Sequence, residues 1–479
     1  MNFMMVVYLL GWIMLATGGM LLLPFGVSLY YSETCSGAFL VTALISIAIG
    51  AVLVAKKPKN RIFHLREGFL ITALSWIVLS VIGAVPFVIS GAIPNFVDAL
   101  FETASGFTTT GASILTAVEP LPRGILFWRS FTHWIGGMGV LVFLLTLLPL
   151  AGGSNTNLMK AESPGPQVSK LVPKIKSTAA ILYAIYLGIS ILECVLLLLG
   201  KMPLFDAVFT ILVTRCKSGF GIKNDSIAGY STYIQVIVTI FMILCGINFN
   251  FYFFIIFRKF AKAFEIEEVK VYLAIILISI TAISVNIYPQ IGSVGKTLLQ
   301  SSFQVGSIIT TTGFATADFN TWPMFSKTIL VMLMFCGACA GSTGGGIKVS
   351  RIIMLFKSLT KEMKHILHPS SIGTVIIDKK PVAHETMRAT NVFMVAYVMI
   401  FTVSMLIVSL ENLDFTTGFT AVAATLNNIG PGLNEVGPTG NFAFFSPLSK
   451  LTLTFCMLAG RLEIYPMILL FSKHTWQRF

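Results

Sequence analysis

Residues Gly341 to Lys348 read GSTGGGIK, close to a phosphate-binding loop. A P-loop, G-x-x-x-x-G-K-[ST], cradles phosphates on backbone N–H groups, reaches them with a lysine and holds magnesium with a hydroxyl. Gly341 and Gly346 keep that spacing, but Ile347 stands where the lysine belongs and Val349 follows Lys348. The stretch also follows an apolar run rather than a strand of a soluble βαβ unit. Cys336 and Cys339 form a C-x-x-C, yet there is no second pair and no thioredoxin-like pattern around them, so small residues packing between helices is the reading. His365 and His368 stand three apart in a basic segment without a nearby acidic cluster of ligand type, which argues against a metal. An enzyme acting on lipid phosphates would need clustered acids or histidines at one membrane face, and the sequence offers none.

Four other glycines make a stronger pattern. Residues 98–113 read DALFETASGFTTTGAS, 206–221 DAVFTILVTRCKSGFG, 300–315 QSSFQVGSIITTTGFA and 417–432 TGFTAVAATLNNIGPG. Aligned without gaps, Gly111, Gly219, Gly313 and Gly430 coincide, at spacings of 108, 94 and 117 residues. Phe101, Phe209, Phe303 and Thr420 stand ten residues before them. This is a diverged internal repeat in register. Each segment is too apolar for an ordinary loop and too short to cross a bilayer twice. It suits a short helix followed by an extended, re-entrant chain, which is tolerated at membrane depth only when buried in protein or lining a watery cavity. Four such chains around one axis could replace a cation's water shell with backbone carbonyls. Thr, Ser and Asn flank the glycines without fixed anionic charge. A weak field of that kind suits a large monovalent ion, and potassium is the natural candidate.

The elements that would position this ring are membrane helices. Of 479 residues, 55% are hydrophobic and 11% charged, and mean hydropathy is +0.85. Ordinary soluble domains carry about 25% charged residues. Apolar runs long enough to span the hydrocarbon fall near 4–26, 37–55, 68–90, 124–150, 177–200, 230–257, 271–289, 322–345, 389–410 and 447–472, predicting ten crossings. The first is too long for a signal-peptide core and lacks a cleavage site, so it reads as a retained helix. With ten spans, 23 of the 33 Lys and Arg fall on one side. The positive-inside rule then places both termini in the cytoplasm. The net charge of +13 is therefore a topology signal, with some attraction to membrane lipid, and does not indicate nucleic acid.

The fold expected is an all-α polytopic membrane protein: a two-helix region over 1–66, then four units of helix, pore loop and helix over 67–176, 177–270, 271–388 and 389–479. The chain resembles the Trk/Ktr/HKT superfamily of potassium transporters, most closely the bacterial TrkH/TrkG type. The resemblance rests on TTTG in the first and third repeats, FWRSFTHWIGGMG at 127–139, LNNIGPG at 426–432, AGSTGGGIK at 340–348 and AGRLEIYP at 459–466. The extra first pair of spans favours that type over the shorter Ktr type. The resemblance implies four covalently joined potassium-channel-like units around one pore, each giving one filter glycine. It implies potassium uptake across the cytoplasmic (inner) membrane, and potassium as substrate with no organic cofactor. It also implies a homodimer, and a ring of cytoplasmic nucleotide-binding regulatory subunits of the TrkA type.

Motif by motif, the resemblance makes the filter Thr109, Thr110 and Gly111; Lys217, Ser218 and Gly219; Thr311, Thr312 and Gly313; and Asn428, Ile429 and Gly430. In the superfamily a Ser in the first repeat goes with sodium, so Gly111 points to potassium. The second repeat departs from the pattern at Lys217. An ammonium on the axis about 4 Å from the ion would repel it by about 4 kcal/mol at an effective dielectric of 20. Either Lys217 turns behind the filter, where Asp225 could neutralise it, or the pore is altered.

The resemblance also makes Gly341, Ser342, Thr343, Gly344, Gly345, Gly346 and Lys348 a mobile intramembrane gate loop under the filter; a close-packed helix kink is the alternative. Arg461 sits mid-span, where a charge is costly. It either projects into the pore as part of the gate or pairs with Glu193 or Glu463. Trp128, Arg129 and Trp134 read as interfacial anchors, and Gly136, Gly137 and Gly139 as close helix contacts. The lysine-rich 358–388 segment is a solvated loop or a docking site for an acidic partner. Channel-like uptake and proton- or sodium-coupled symport both remain open; coupling would need an intramembrane carboxylate, of which Glu193 and Glu463 stand out.

Overall fold

A computed structural model describes residues 2–58, 64–138, 175–216, 219–221, 223–342, 344–370 and 373–477. Nearly every described element is a helix. The chain opens with α1 (Phe3–Tyr30) and α2 (Ser36–Ala55), an antiparallel pair locked by small residues. A Cβ at Gly50 would stand 2.8 Å from the Gly11 carbonyl oxygen, so nothing larger than hydrogen fits that crossing.

After this pair a pattern recurs four times. A long continuous helix comes first: α3 (Leu65–Ile89), α6 (Ile175–Leu199), α11 (Glu267–Ile291) and α15 (His384–Val408), each of 25 residues. At 1.5 Å per residue that is about 37 Å, enough to cross the hydrocarbon with tilt. A short helix follows: α4 (Phe96–Phe107), α7 (Leu204–Cys216), α12 (Val294–Ile309) and α16 (Phe415–Leu426). Asn95 and Asp414 cap α4 and α16 by accepting from the backbone amides of Val97 and of Thr416 and Thr417. The chain then runs irregularly and enters a second helix: α5 (Arg123–Met138), α8 (Thr232–Cys245), α13 (Met324–Phe335) and α17 (Pro447–Arg461).

These second helices break where the hydropathy pattern predicts straight spans. In the second repeat α8 ends at Gly246, and α9 (Phe249–Ile256) leaves at 94°. Asn248 restarts the backbone there by accepting from the Asn250 amide. In the third repeat α13 stops at Cys336, and helix resumes only with α14 (Val349–Leu367). In the fourth, Glu463 and Ile464 adopt left-handed dihedrals (φ +58° and +69°) between α17 and α18 (Tyr465–Leu470). That is a strained conformation for a β-branched residue. The first repeat's second helix is described only to Met138. Single straight spans over 230–257 and 447–472 are thus corrected, whereas the interruption of 322–345 falls at the glycine run that the sequence singled out. Apolar composition sets the length of a crossing, but glycines and caps decide whether it stays helical.

Among the described residues five helices are long and apolar enough to cross alone, and the bent α8–α9 pair is a sixth candidate. Their outer faces are oily: on α15, Val392, Val395, Val398, Met399, Val403 and Leu406 are all more than half exposed. Water would not tolerate a stripe that large. The chain is an all-α, multi-pass membrane protein.

Candidate ion-binding site

The four short helices end at the four aligned segments. In the first repeat the Thr108 amide donates to the Ala104 carbonyl, Thr109 to Gly106 and Thr110 to Ser105. The third repeats this with Thr310 to Gly306, Thr311 to Ile308 and Thr312 to Ser307, and the fourth with Asn427 to Ala423, Asn428 to Thr425 and Ile429 to Ala424. Each tightened turn satisfies the helix's last carbonyls and throws the next residues into left-handed backbone. Thr109, Thr311 and Asn428 have φ of +58°, +56° and +54°; Gly111, Gly313 and Gly430 have +81°, +78° and +101°. The glycines are needed because an L-residue two positions on could not hold that dihedral without strain.

Side chains fasten the turns. The hydroxyls of Thr108 and Thr110 lie 2.8 Å apart, and those of Thr310 and Thr312 2.7 Å apart. In the fourth repeat an asparagine pair takes over. Asn427 accepts from the Tyr397 hydroxyl at 3.0 Å. Asn428 donates to the Thr110 hydroxyl at 2.9 Å and to the Met457 carbonyl at 2.8 Å, tying repeat four to repeat one.

The glycines then meet. A Cβ on Gly219 would lie 2.8 Å from the Gly313 oxygen, and one on Gly430 2.8 Å from the Thr110 oxygen. A Cβ on Gly313 would strike the Ile429 oxygen. Gly111, Gly219, Gly313 and Gly430 line one cavity of about 160 Å³. Among the described residues no carboxylate lines it. Backbone oxygens and the negative ends of the short helices supply the field a cation would meet there. Arg129 and Lys223 also reach this cavity, but Arg129 is paired with Glu102 at 2.8 Å and the Lys223 ammonium lies 4.1 Å over the Tyr230 ring. Lys217 and Ser218 lie outside the described residues, as does Thr343.

The reading of Trp128 and Arg129 as interfacial anchors is overturned. Both are buried, with the Trp128 indole N–H on the Gly83 carbonyl at 3.0 Å. The Arg129–Glu102 pair is sealed behind the first filter segment, and Glu102 also holds the Ser113 hydroxyl and the Ile114 amide at 3.0 Å. An Arg near a helix end in an apolar run looks like an anchor; only its acid partner, 27 residues earlier in sequence, shows otherwise. Gly136 does permit a close contact, since a Cβ there would strike the Phe107 carbonyl.

Beneath the ring lies the GSTGGGIK stretch. It is not helix. The Gly337 amide donates to the Ile347 carbonyl at 2.8 Å, closing the loop's neck, and the Cys339 amide donates to the Gly246 carbonyl at 3.1 Å. Gly341 and Gly346 both have φ of +69°. The Ser342 hydroxyl turns back to the Cys339 carbonyl at 2.6 Å. The loop touches the ring directly: the Gly345 amide donates to the Thr311 hydroxyl at 2.9 Å, and a Cβ at Gly345 would lie 2.5 Å from the Asn427 oxygen. The buried Lys348 ammonium donates to the Gly344 and Gly345 carbonyls. A lysine bent onto its own loop cannot cradle phosphate.

The Arg461 guanidinium donates to the Gly136 carbonyl at 2.5 Å and lies 5.8 Å over the Trp76 ring. Glu463, weighed as its counter-ion, pairs instead with Arg351, which stacks 3.9 Å over Phe393. Sequence reasoning missed Glu268. This buried carboxylate on α11 holds the amides of Ala340 and Ser350 at 2.6 and 3.1 Å. Its signal was an acid at the mouth of an apolar run, indistinguishable there from an ordinary solvated helix start. Among the described residues no group of His, Cys, Asp and Glu could hold a metal.

A family model named TrkH, cation transport protein, matches residues 36–478. The Trk system potassium uptake protein TrkH of Salmonella typhimurium is 36% identical over 490 residues, covering all of both chains. The Trk system potassium uptake protein TrkG of Escherichia coli K12 is 35% identical over 463 residues, covering 95% of this chain and 94% of that one. The crystal structure of the potassium transporter TrkH from Vibrio parahaemolyticus superposes with a TM-score of 0.88 at 32% identity, over the whole of both chains.

Proposed function

The chain belongs to the TrkH family of cation transport proteins, and from that membership we propose that it is a potassium uptake protein in which the glycine ring selects the ion and the loop beneath it gates the path. The family is one of transporters and not of enzymes, and potassium is the substrate. The observation that carries the reading is that four glycines some hundred residues apart line one carboxylate-free cavity. A field built from backbone carbonyls without a carboxylate is strong enough to replace part of a monovalent ion's hydration and weak enough to release it.

The filter residues of this reading are Thr109, Thr110 and Gly111; Lys217, Ser218 and Gly219; Thr311, Thr312 and Gly313; and Asn428, Ile429 and Gly430, acting through backbone oxygens. The gate is Gly341 to Gly346 with Lys348, and Arg461 beside it. The contact of Gly345 with Thr311 and Asn427 supports it, because a loop hydrogen-bonded to the filter's underside stands in the ion's way. Of the two carboxylates that coupling could use, Glu463 is engaged by Arg351 and Glu193 is buried on α6, and a channel-like mechanism is the reading we favour over coupled symport. The chain sits in the cytoplasmic membrane with both termini inside, as a homodimer that takes its gating signal from a ring of TrkA-type nucleotide-binding subunits.

The test is rescue of a potassium-uptake-deficient host at low external potassium. Growth is expected when the chain is supplied with its regulatory partner. No growth from folded, membrane-inserted protein, with and without that partner, would sink the reading.

A further inference from the structure

The loop beneath the ring must be held by something that can let go, and most of its amides are bound at long range. Ala340 lies just before the glycine run and Ser350 just after it. Their two amides converge on the same atom, Oε1 of Glu268, at 2.6 and 3.1 Å. The other oxygen, Oε2, accepts from the Asn248 side-chain amide at 3.3 Å. Asn248 is the residue that restarts helix after the 94° bend in the second repeat. Two residues before it, the Gly246 carbonyl accepts from the Cys339 amide at 3.1 Å. The base of the loop in repeat three and the bend in repeat two therefore share one carboxylate.

We infer that Glu268 is the positioning residue that latches the loop at its base and couples it to the bend in the second repeat. Amide bonds to a carboxylate are stronger than those to a neutral acceptor, and one oxygen taking both N–H groups fixes the distance between loop start and loop end. Release of Oε1 would detach both ends from α11 together, with the Gly337–Ile347 bond still joining them to each other. Movement of α9, which leads on to α10 (Phe260–Glu265), would reach the latch through Asn248. The transport consequence rests on the loop being the gate; the latch itself does not.

The two oxygens have different duties, and substitution can separate them. In Glu268→Gln the remaining carbonyl can keep both backbone amides, while its new NH2 opposes the Asn248 amide. Glu268→Ala loses everything. The experiment uses full-length protein in liposomes, following reaction of Cys339 with N-ethylmaleimide by peptide mass spectrometry and radioactive rubidium uptake in parallel. Cys339 is buried. Its labelling is expected to quicken about tenfold in Glu268→Ala, equivalent to about 1.4 kcal/mol, and to stay near the parent rate in Glu268→Gln.

Should the alanine variant not fold, Glu268→Asp withdraws the same oxygen by one methylene and carries the same expectation. Cys339 as protected in the folded alanine or aspartate variant as in the parent would overturn the latch. So would equal exposure in the glutamine and alanine variants, which would make Glu268 a packing residue only. Faster labelling with unchanged rubidium uptake would uphold the latch and refute the gate. Absence of uptake by the unsubstituted protein would instead strike the transport reading.

Discussion

The glycine ring and the loop beneath it are built from the same residue types, glycine with threonine and serine, yet they are opposite kinds of structure. In three described filter turns every tightening amide bond goes to the residue's own short helix, three to five positions back. The loop has no helix of its own. One amide, that of Ser342, bonds locally to Cys339; the others go to Ile347, Gly246, Glu268 and the Thr311 hydroxyl, the last three on other elements. Local bonds form with their helix and are lost only with it. Long-range bonds can be exchanged while every helix stays intact. The difference fits the proposed division of labour, in which the ring selects and the loop moves.

Four substitutions would break or sharpen that contrast. The largest effect is expected at Gly430. Alanine there would force an L-residue to φ +101° and set a Cβ 2.8 Å from the Thr110 oxygen. Left-handed backbone alone costs about 1–2 kcal/mol, and the collision adds to it, so potassium uptake should fall by roughly a hundredfold. Uptake within a few-fold of the parent would mean that the ring is not the selective element.

Next comes the brace behind it. Removing one partner of a buried ion pair typically costs about 3–5 kcal/mol. Arg129→Ala should therefore lower the unfolding temperature markedly in detergent, whereas the double variant Arg129→Met with Glu102→Leu should recover much of that loss. Equal damage in both would show that the pair holds the filter through more than charge.

The loop answers in the opposite direction. A methyl at Gly345 would sit 2.5 Å from the Asn427 oxygen and 2.8 Å from the Asn428 Cβ, pushing the loop off the ring. Gly345→Ala should raise basal rubidium flux several-fold without a loss of thermal stability. Reduced flux would make the loop a support of the filter and erase the contrast. The smallest effect is expected at Thr312. Valine there keeps the shape and removes one hydroxyl pair, a contribution of about 1 kcal/mol, which should appear as a modest loss of potassium-over-sodium preference with little change in total flux.

Parts of this were legible in the chain alone. The repeat stood out because four matching segments in register cannot arise from composition. The long first helices were equally plain, being unbroken apolar runs. The breaks after α8 and α17 were not, because hydropathy counts carbons and is blind to where an amide finds its acceptor; only the glycine run at 341–346 announced the third. Arg129 and Glu102, or Glu268 with Ala340 and Ser350, are far apart in sequence, and nothing local in either partner announces the other. Arg461 was recognisable as costly, but its partner is a backbone carbonyl, which no residue identity encodes.

By itself, then, the sequence determined that this protein spans a membrane and that four glycines recur at one topological position. Lipid demands apolar length, and a tight ring demands residues without a Cβ. Only the tertiary structure decided how those glycines pack against one another, that Arg129 and Trp128 are buried behind them, and that GSTGGGIK turns its own lysine onto its carbonyls. Those outcomes depend on where backbone amides and charges find partners once water is excluded, and that is a property of helices brought together.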